Sequence, residues 1–324
     1  MRYWNRAAAI AALFSAPALA QDAPQLSQPI DCTLGETCHI QQYVDTDPGP
    51  AARDFMCNAL SYDGHKGTDF ALPSYAAMRS GVRILAAAPG TVRGVRDGMK
   101  DRLYTDEMAP AMKGRGCGNG VVITHPGGWE TQYCHMREGS VRVRAGDVVD
   151  RGTTLGYVGL SGRTQFPHLH ISVRRGDAVI DPFNPSSIAT CGAPDGETLW
   201  IDAPAYIPGA LIAAGFTTAV PSFEDIRDGA AHAPVLSRTA PALVAWGYAY
   251  GSRPDDILRI VIDGPRGRVF DHDAVLERTQ AQFFRAAGRR PGPGGWRAGT
   301  FTATITLIRG DTVLDEIQTT TQMQ

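Results

Sequence analysis

The sequence predicts an all-β protein in two parts, a barrel-like or sandwich domain followed by a smaller β-sandwich. Two observations carry that expectation. From about residue 60 to 185, short apolar stretches alternate with Gly and Pro turns and no long helical period appears. Beyond residue 208, a second series of alternating stretches follows a segment rich in Gly, Pro and acidic residues.

Taken in order, the first twenty residues read as an export signal. Arg2 and Arg6 precede the apolar run Ala7 to Phe14, and Ala18-Leu19-Ala20 supplies small residues for cleavage. The run is too short for a permanent span, and no later stretch approaches the roughly 20 apolar residues that one needs. An exported, soluble protein beginning near Gln21 is expected, with no stable membrane insertion; retention as an uncleaved anchor is the alternative. Residues 21–58 read as an irregular segment, with "DTDPGPAARD" as a loop.

The first domain is expected over 59–192. Its strands are "VRILAAAPGTVRGV", "GNGVVITH", "WETQYCHM", "GSVRVRAGDVV", "TTLGYVGLSG" and "HLHISVRRG", and a hairpin turns at Pro126-Gly127-Gly128. The polar segment 97–116 interrupts this rhythm, either as a lid over a site or as a tolerated insertion. Residues 193–208 read as a linker. The second domain, 209–324, reads as an immunoglobulin-like sandwich; its strongest strand places Phe301, Ala303, Ile305 and Leu307 on one face.

Charge and cysteine content narrow the class. Removal of Arg2 and Arg6 from the 31 basic residues leaves 29 against 33 acidic ones, a formal charge of −4, without the basic footprint of a nucleic-acid binder. All six cysteines lie between residues 32 and 191. An even count in an exported chain reads as disulfides, of which six cysteines allow fifteen connectivities. Cys32 and Cys38 are spaced to close a small loop, and Cys117 and Cys134 flank the hairpin. Cys57 with Cys191 follows by elimination. A zinc–thiolate cluster competes, but no paired Cys-x-x-Cys spacing supports it.

The chemistry concentrates in four histidines and one aspartate. In "PHLHISV", His168 and His170 stand two apart on a strand, hence on one face with Cα atoms about 7 Å apart. "DGHKGTDFAL" carries His65 and Asp69, and "ETQYCHM" carries His135. Two neutral imidazoles and a carboxylate suit a catalytic zinc with one open position, whose net charge acidifies water there. The two remaining histidines suit proton transfer and charge stabilisation, since imidazole titrates near working pH. On a regular strand His65 and Asp69 would lie roughly 13 Å apart, so Gly67 must bend the chain between them.

"HKGTDFA", "YCH" and "PHLHISV", in that order, resemble the three signatures of the lysostaphin/LytM-type zinc metallopeptidases. The resemblance extends to "AAAPGTV", "VRAGDVVDRGTTLGYVGLSG" and "DPFNP", covering about residues 60–187. It implies a LytM-like fold of the duplicated-hybrid, barrel-sandwich type. It also implies that His65, Asp69 and His170 ligate zinc, and that His135 and His168 flank the reacting water as oxyanion stabiliser and general base. The substrate it implies is the peptide part of peptidoglycan, with cross-links as the bonds cut, in the periplasm. The C-terminal domain is left to position substrate or a protein partner. Three departures stand out: Phe166 and Cys134 replace small residues, and the 97–116 insertion narrows access.

Three rival readings remain. A non-enzymatic regulator of wall hydrolases would have lost ligands, and none is lost here. A peptidase acting on an exported protein would share every site residue. A biotinyl- or lipoyl-carrier barrel needs a hairpin lysine, and residues 118–190 contain none. Elsewhere, His125 reads as structural, and His39 and His232 as loop residues without partners. "FDHD" (Asp271, His272, Asp273) reads as a solvated turn before a cation site. Arg285, Arg289, Arg290 and Arg297 near Trp296 read as a solvated loop before a site for an acidic polymer.

Overall fold

A computed structural model describes residues 23–186, 190–192 and 196–324, so the expected signal segment lies outside the described residues. The first part contains β1 (His39–Gln42), β2 (Thr68–Ala71), β3 (Arg83–Leu85), β4 (Gly90–Arg96), β5 (Asn119–His125), β6 (Trp129–Met136), β7 (Val148–Val149), β8 (Thr154–Tyr157), β9 (His168–Arg175) and β10 (Ala178–Ile180). Eight of these form one sheet in the order β1-β2-β9-β6-β5-β4-β7, with β10 beside β9, and β3 pairs with β8. Two short helices, α1 (Tyr75–Ser80) and α2 (Ala109–Met112), lie between strands.

Alternation sorts the faces of the central strands. Leu169 and Ile171 of β9, Phe70 of β2 and Tyr133 of β6 are fully buried in one core, while His168, His170 and Ser172 take the opposite face of β9. Burying such a side chain is worth roughly 1.5–3 kcal/mol, so this core holds the register on which the histidines depend.

Two stretches depart from their expected character. Within 21–58, expected to be irregular, β1 pairs with β2, and Leu26, Ile30, Tyr43 and Phe55 enter the same core. Within 193–208, expected to be a linker, Leu199 and Trp200 are buried there too. Leu26 N–H donates to the Leu199 carbonyl (2.7 Å), and Ile201 N–H donates to that of Leu26 (2.8 Å). Isolated apolar residues among Pro, Gly and Asp carry no period, so their burial leaves no pattern to read.

The second part is a two-sheet β-sandwich. Its strands are β11 (Ala210–Thr217), β12 (Val235–Leu236), β13 (Leu243–Ser252), β14 (Ile257–Gly264), β15 (Gly267–Val275), β16 (Gln280–Arg289), β17 (Gly299–Arg309) and β18 (Thr312–Met323). β11-β13-β16 form one sheet and β12-β18-β17-β14-β15 the other. Phe301, Ala303, Ile305 and Leu307 of β17 are buried between the sheets, as their alternation predicts. Between β11 and β12, α3 (Phe223–Asp228) starts at a Ser222 cap and ends at Gly229 in the left-handed region (φ 85°).

The sandwich is fastened to the first domain beside its sheet edge. Gln41 of β1 donates to the Ala281 carbonyl of β16 (2.7 Å), and His39 stacks on Tyr250 with ring centroids 4.5 Å apart. Arg79 of α1 forms a bidentate pair with Asp228 of α3 (2.7 and 3.1 Å). All three expected disulfides are present: Cys32–Cys38, Cys57–Cys191 and Cys117–Cys134. No helix among the described residues is long and apolar enough to cross a membrane.

Asp181, just after β10, is buried. One carboxylate oxygen accepts from Phe183 N–H (2.9 Å), and the other has no partner. Burial, reinforced by the charge of Asp54, pushes its pKa from 3.8 up to about 7. The folded state thus retains a proton that the unfolded chain releases, and stability is lost as pH rises from about 4 through 7. Asp181→Asn is expected to narrow the difference in stability between pH 5 and pH 8, as read by denaturant unfolding at both values.

Candidate metal centre

The site grows out of one cross-strand row. In the β2–β9 ladder Asp69 sits opposite His170 and Ala71 opposite His168; in the β6–β9 ladder Cys134 sits opposite His170. Residues two apart on β9 share a face, so both histidines reach the surface that carries Asp69. His65 arrives from the loop before β2. Gly67 permits the approach for a reason beyond bending: a Cβ there would lie 2.7 Å from His170 Nε2 and 2.5 Å from the Ile171 carbonyl oxygen.

Three donor atoms converge. Asp69 Oδ1 lies 2.7 Å from His170 Nδ1 and 3.2 Å from His65 Nε2, and those two nitrogens are 3.1 Å apart. The far nitrogen of each imidazole is engaged elsewhere. His65 Nδ1–H donates to the Tyr43 carbonyl (2.6 Å), and His170 Nε2 is hydrogen-bonded to Ser172 Oγ (2.9 Å), a hydroxyl able to accept from it. The carbonyl fixes the His65 tautomer with its lone pair toward the cluster, and with Ser172 accepting, His170 presents its own to the same point, the arrangement that outer hydrogen bonds give to metal-ligating histidines. Burial alone would raise the Asp69 carboxyl, but the three imidazoles of His65, His168 and His170 hold it well below the usual carboxylate range.

His168 and His135 lie beside this cluster, with ring centroids 4.6 Å apart. His168 Nδ1 donates to the Phe166 carbonyl (2.9 Å), and Nε2 comes within 3.6 Å of Asp69 Oδ1. His135 Nδ1 donates to the Ser161 carbonyl (2.8 Å). A carbonyl only accepts, so Nδ1 carries the proton and Nε2 is the basic nitrogen in both rings. Burial pushes both imidazoles below their ordinary range, and for His135 the neighbouring rings of His168 and His170 further disfavour its protonated form. Both are neutral at neutral pH.

His135 reaches the site by breaking the strand pattern. Simple alternation would put it on the face opposite Cys134, but its φ of 62° lies in the left-handed region and turns the side chain toward His168. Neighbours fix that conformation. His135 N–H donates to the Cys117 carbonyl (2.8 Å), Gly159 N–H donates to the His135 carbonyl (2.9 Å), and the adjacent Cys134 is bridged to Cys117.

A cavity of about 490 Å³ opens over these groups. Tyr62, Thr164 and Phe166 line it from the first domain, and Phe166 stacks on His168 with centroids 4.4 Å apart. The 97–116 insertion forms one wall through Tyr104 and Asp106, and is tied down by Asp101 accepting from Leu160 N–H (2.6 Å) and Glu138 N–H (3.0 Å). The opposite wall belongs to the sandwich, through Phe223 and Arg227 of α3 and Gln282 of β16.

The five residues read from the sequence are thus all brought together. Ser172 went unread, although its place two residues after His170 was a signal. The Tyr43 and Ser161 carbonyls, being backbone, left none. His125 is structural, bridging the Pro89 carbonyl (2.7 Å) and Thr131 Oγ1 (2.9 Å). His39 is corrected, being buried in β1 beside Gln41 under Tyr250 of the sandwich; His232 does lie in an exposed loop, but it has a partner, since its Nδ1 accepts from Phe216 N–H (3.1 Å). The "FDHD" stretch is a strand within β15, where Asp271 pairs with Arg259 and Arg268. Arg285, one of the basic stretch near Trp296, lies in β16 and donates to the Phe284 carbonyl.

Residues 63–182 match the model of Peptidase family M23. A DD-carboxypeptidase/endopeptidase, Mpg, of Neisseria meningitidis serogroup B is 33% identical over 127 residues, which are 39% of this chain and 23% of that protein. The peptidoglycan DD-endopeptidase ShyB of Vibrio cholerae is 31% identical over 109 residues, 34% of this chain and 20% of its own length. Among solved structures, the catalytic domain of the prophage-encoded M23 protein EnpA from Enterococcus faecalis is 24% identical, with 51% of this chain and 96% of that one covered and a TM-score of 0.32. The chain spans less than a quarter of the length of these two curated relatives. The matched residues contain every histidine of the cluster in the order that the lysostaphin/LytM signatures require, and the chain therefore carries, over residues 63–182, a domain of peptidase family M23.

Proposed function

We propose that this chain is an exported zinc metalloendopeptidase that hydrolyses amide bonds in peptidoglycan peptides, cross-links among them. The observation that supports it best is the convergence of His65 Nε2, Asp69 Oδ1 and His170 Nδ1, all within 4.8 Å of one another, with the far ring nitrogens already engaged. Two imidazoles and one carboxylate would fit zinc by donor type and number, with one coordination position not supplied by the chain. When bound, zinc supplies Lewis acidity, making water more acidic and polarising a carbonyl.

The chain's own groups do the rest. His168, neutral and with Nε2 facing the cluster, takes a proton from the attacking water and returns it to the leaving amine. His135, whose ring lies beside that of His168, would take up a second proton from solvent at Nε2, and that N–H then donates to the oxygen of the carbonyl under attack. Phe166 stacked on His168 and the disulfide beside His135 hold the two rings in place, which limits reorganisation during the reaction. Export is supported by the signal pattern in residues 1–20, and the peptidoglycan substrate by the relatives' activities.

Purified protein is expected to bind about one zinc per chain and to release peptide products from purified peptidoglycan, with both lost in His170→Ala. Zinc with hydrolysis of an exported protein in place of the wall would redirect the substrate, and no zinc after attempted reloading would sink the enzyme reading. His168→Ala and His135→Ala are each expected to keep the metal and lower kcat by roughly 10²–10⁴. Gly67→Ala, which drives a methyl into the His170 ring, is expected to weaken zinc binding by roughly tenfold or more, read by competition with a chromogenic chelator.

A further inference from the structure

Two guanidinium groups, one from each domain, line the cavity beside the histidines: Arg163 from the loop before β9 and Arg227 from α3. Each lies against aromatic rings. The Arg163 Cζ is 5.4 Å from the Tyr104 ring centroid, and that of Arg227 is 5.1 Å from Phe223 and 5.7 Å from Tyr75. Stacking of this kind occupies the face of a guanidinium and leaves its in-plane N–H donors for a planar acceptor.

Those donors are under-used. Among the described residues, neither arginine forms an ion pair with a carboxylate, whereas Arg79, Arg83, Arg259 and Arg309 outside the cavity are each paired. Arg227 makes one long bond, from its Nη1 to the Gln165 carbonyl (3.4 Å), and its Nε is buried without a partner. Asp69 belongs to the metal cluster, which leaves Asp106 on the far wall as the cavity's other carboxylate. A guanidinium that lines a cavity without a carboxylate partner is poorly satisfied, and a carboxylate brought by a ligand would supply that partner to its in-plane N–H groups.

We propose that Arg163 and Arg227 together read a carboxylate on the substrate peptide near the amide to be cut, which makes the sandwich domain part of the specificity pocket. The proposal rests on the endopeptidase reading for what the substrate is, but not for the recognition itself. A bidentate guanidinium–carboxylate contact is charge-assisted and directional, and the amide of the same shape cannot replace it. The carboxylate can belong to an acidic side chain or to a peptide C-terminus, and both satisfy the same fork.

The test uses the full chain and one synthetic pentapeptide in three forms: with a free side-chain and C-terminal carboxylate, with the C-terminus amidated, and with the acidic side chain changed to its amide. Binding is measured by calorimetry with a chelator present, and hydrolysis separately with zinc. Amidation at the recognised carboxylate is expected to weaken binding roughly tenfold, and the form affected identifies its source. Arg227→Gln and Arg163→Gln should each reduce that preference to about twofold or less, while Arg227→Lys retains part of it. Arg163 is exposed, so its variant tests the idea even if Arg227→Gln loosens the domain contact. Equal or absent binding of all three forms by the native chain overturns the proposal, as does an Arg163→Gln variant that keeps the native preference among them. Discrimination without hydrolysis would remove the endopeptidase reading and leave the carboxylate reading standing; hydrolysis without discrimination would do the reverse.

Discussion

The pairing of β2, β9 and β6 in a single register is the constraint on which the rest of the molecule depends. It sets Asp69, His170 and Cys134 in one row across three strands. Side chains alternate along a strand, so a slip of one residue would turn Leu169 and Ile171 to water and send both histidines into the core. The apolar face therefore determines where the polar face points. Phe70, Tyr133, Leu169 and Ile171 act on the chemistry without touching it, by making every other register more costly.

The second pair of groups depends on the loops as well as on the strands. His135 holds a left-handed conformation that a β-strand does not supply, and the segments 115–119 and 158–163 hold it there. Asn119 N–H donates to Ser161 Oγ (2.9 Å), and that hydroxyl donates to the Met136 carbonyl (2.7 Å). Gly162, with φ of 88°, packs so tightly that a Cβ would come within 2.4 Å of the Gly116 carbonyl oxygen. Local strain of this kind persists where the surroundings over-determine it. Here the bracing comes from a disulfide, a buried hydroxyl and a close backbone crossing.

Much of this was legible in the residue pattern, for identifiable reasons. Period-two alternation exposed β9 and β17, the Pro-Gly-Gly turn exposed the β5–β6 hairpin, and the spacing of His168 and His170 exposed their shared face. Three ordered motifs located the whole cluster. What stayed illegible was carried by contacts without a local signature. Leu26, Tyr43 and Trp200 belong to the core but sit in stretches whose Pro, Gly and Asp content reads as loop. Polar groups supplied by the backbone, such as the Tyr43 and Ser161 carbonyls, have no letter in the sequence. The sandwich was recognised as a fold, but its place at the cavity wall follows from packing between α1 and α3 and between β1 and β16, which no single segment encodes.

The Cys57–Cys191 bridge joins residues 134 apart in the chain, and His65, Asp69, His135, His168 and His170 all lie inside the loop it closes. The sandwich lies outside. The peptidase domain is in this sense a covalent ring with a tail, and its integrity does not rest on an unbroken backbone. A single cut at any exposed turn between those cysteines opens the ring into a longer strand without releasing a piece, so both halves of the cluster stay covalently joined. The bridge thereby carries a covalent record, independent of backbone continuity, of which segments belong together.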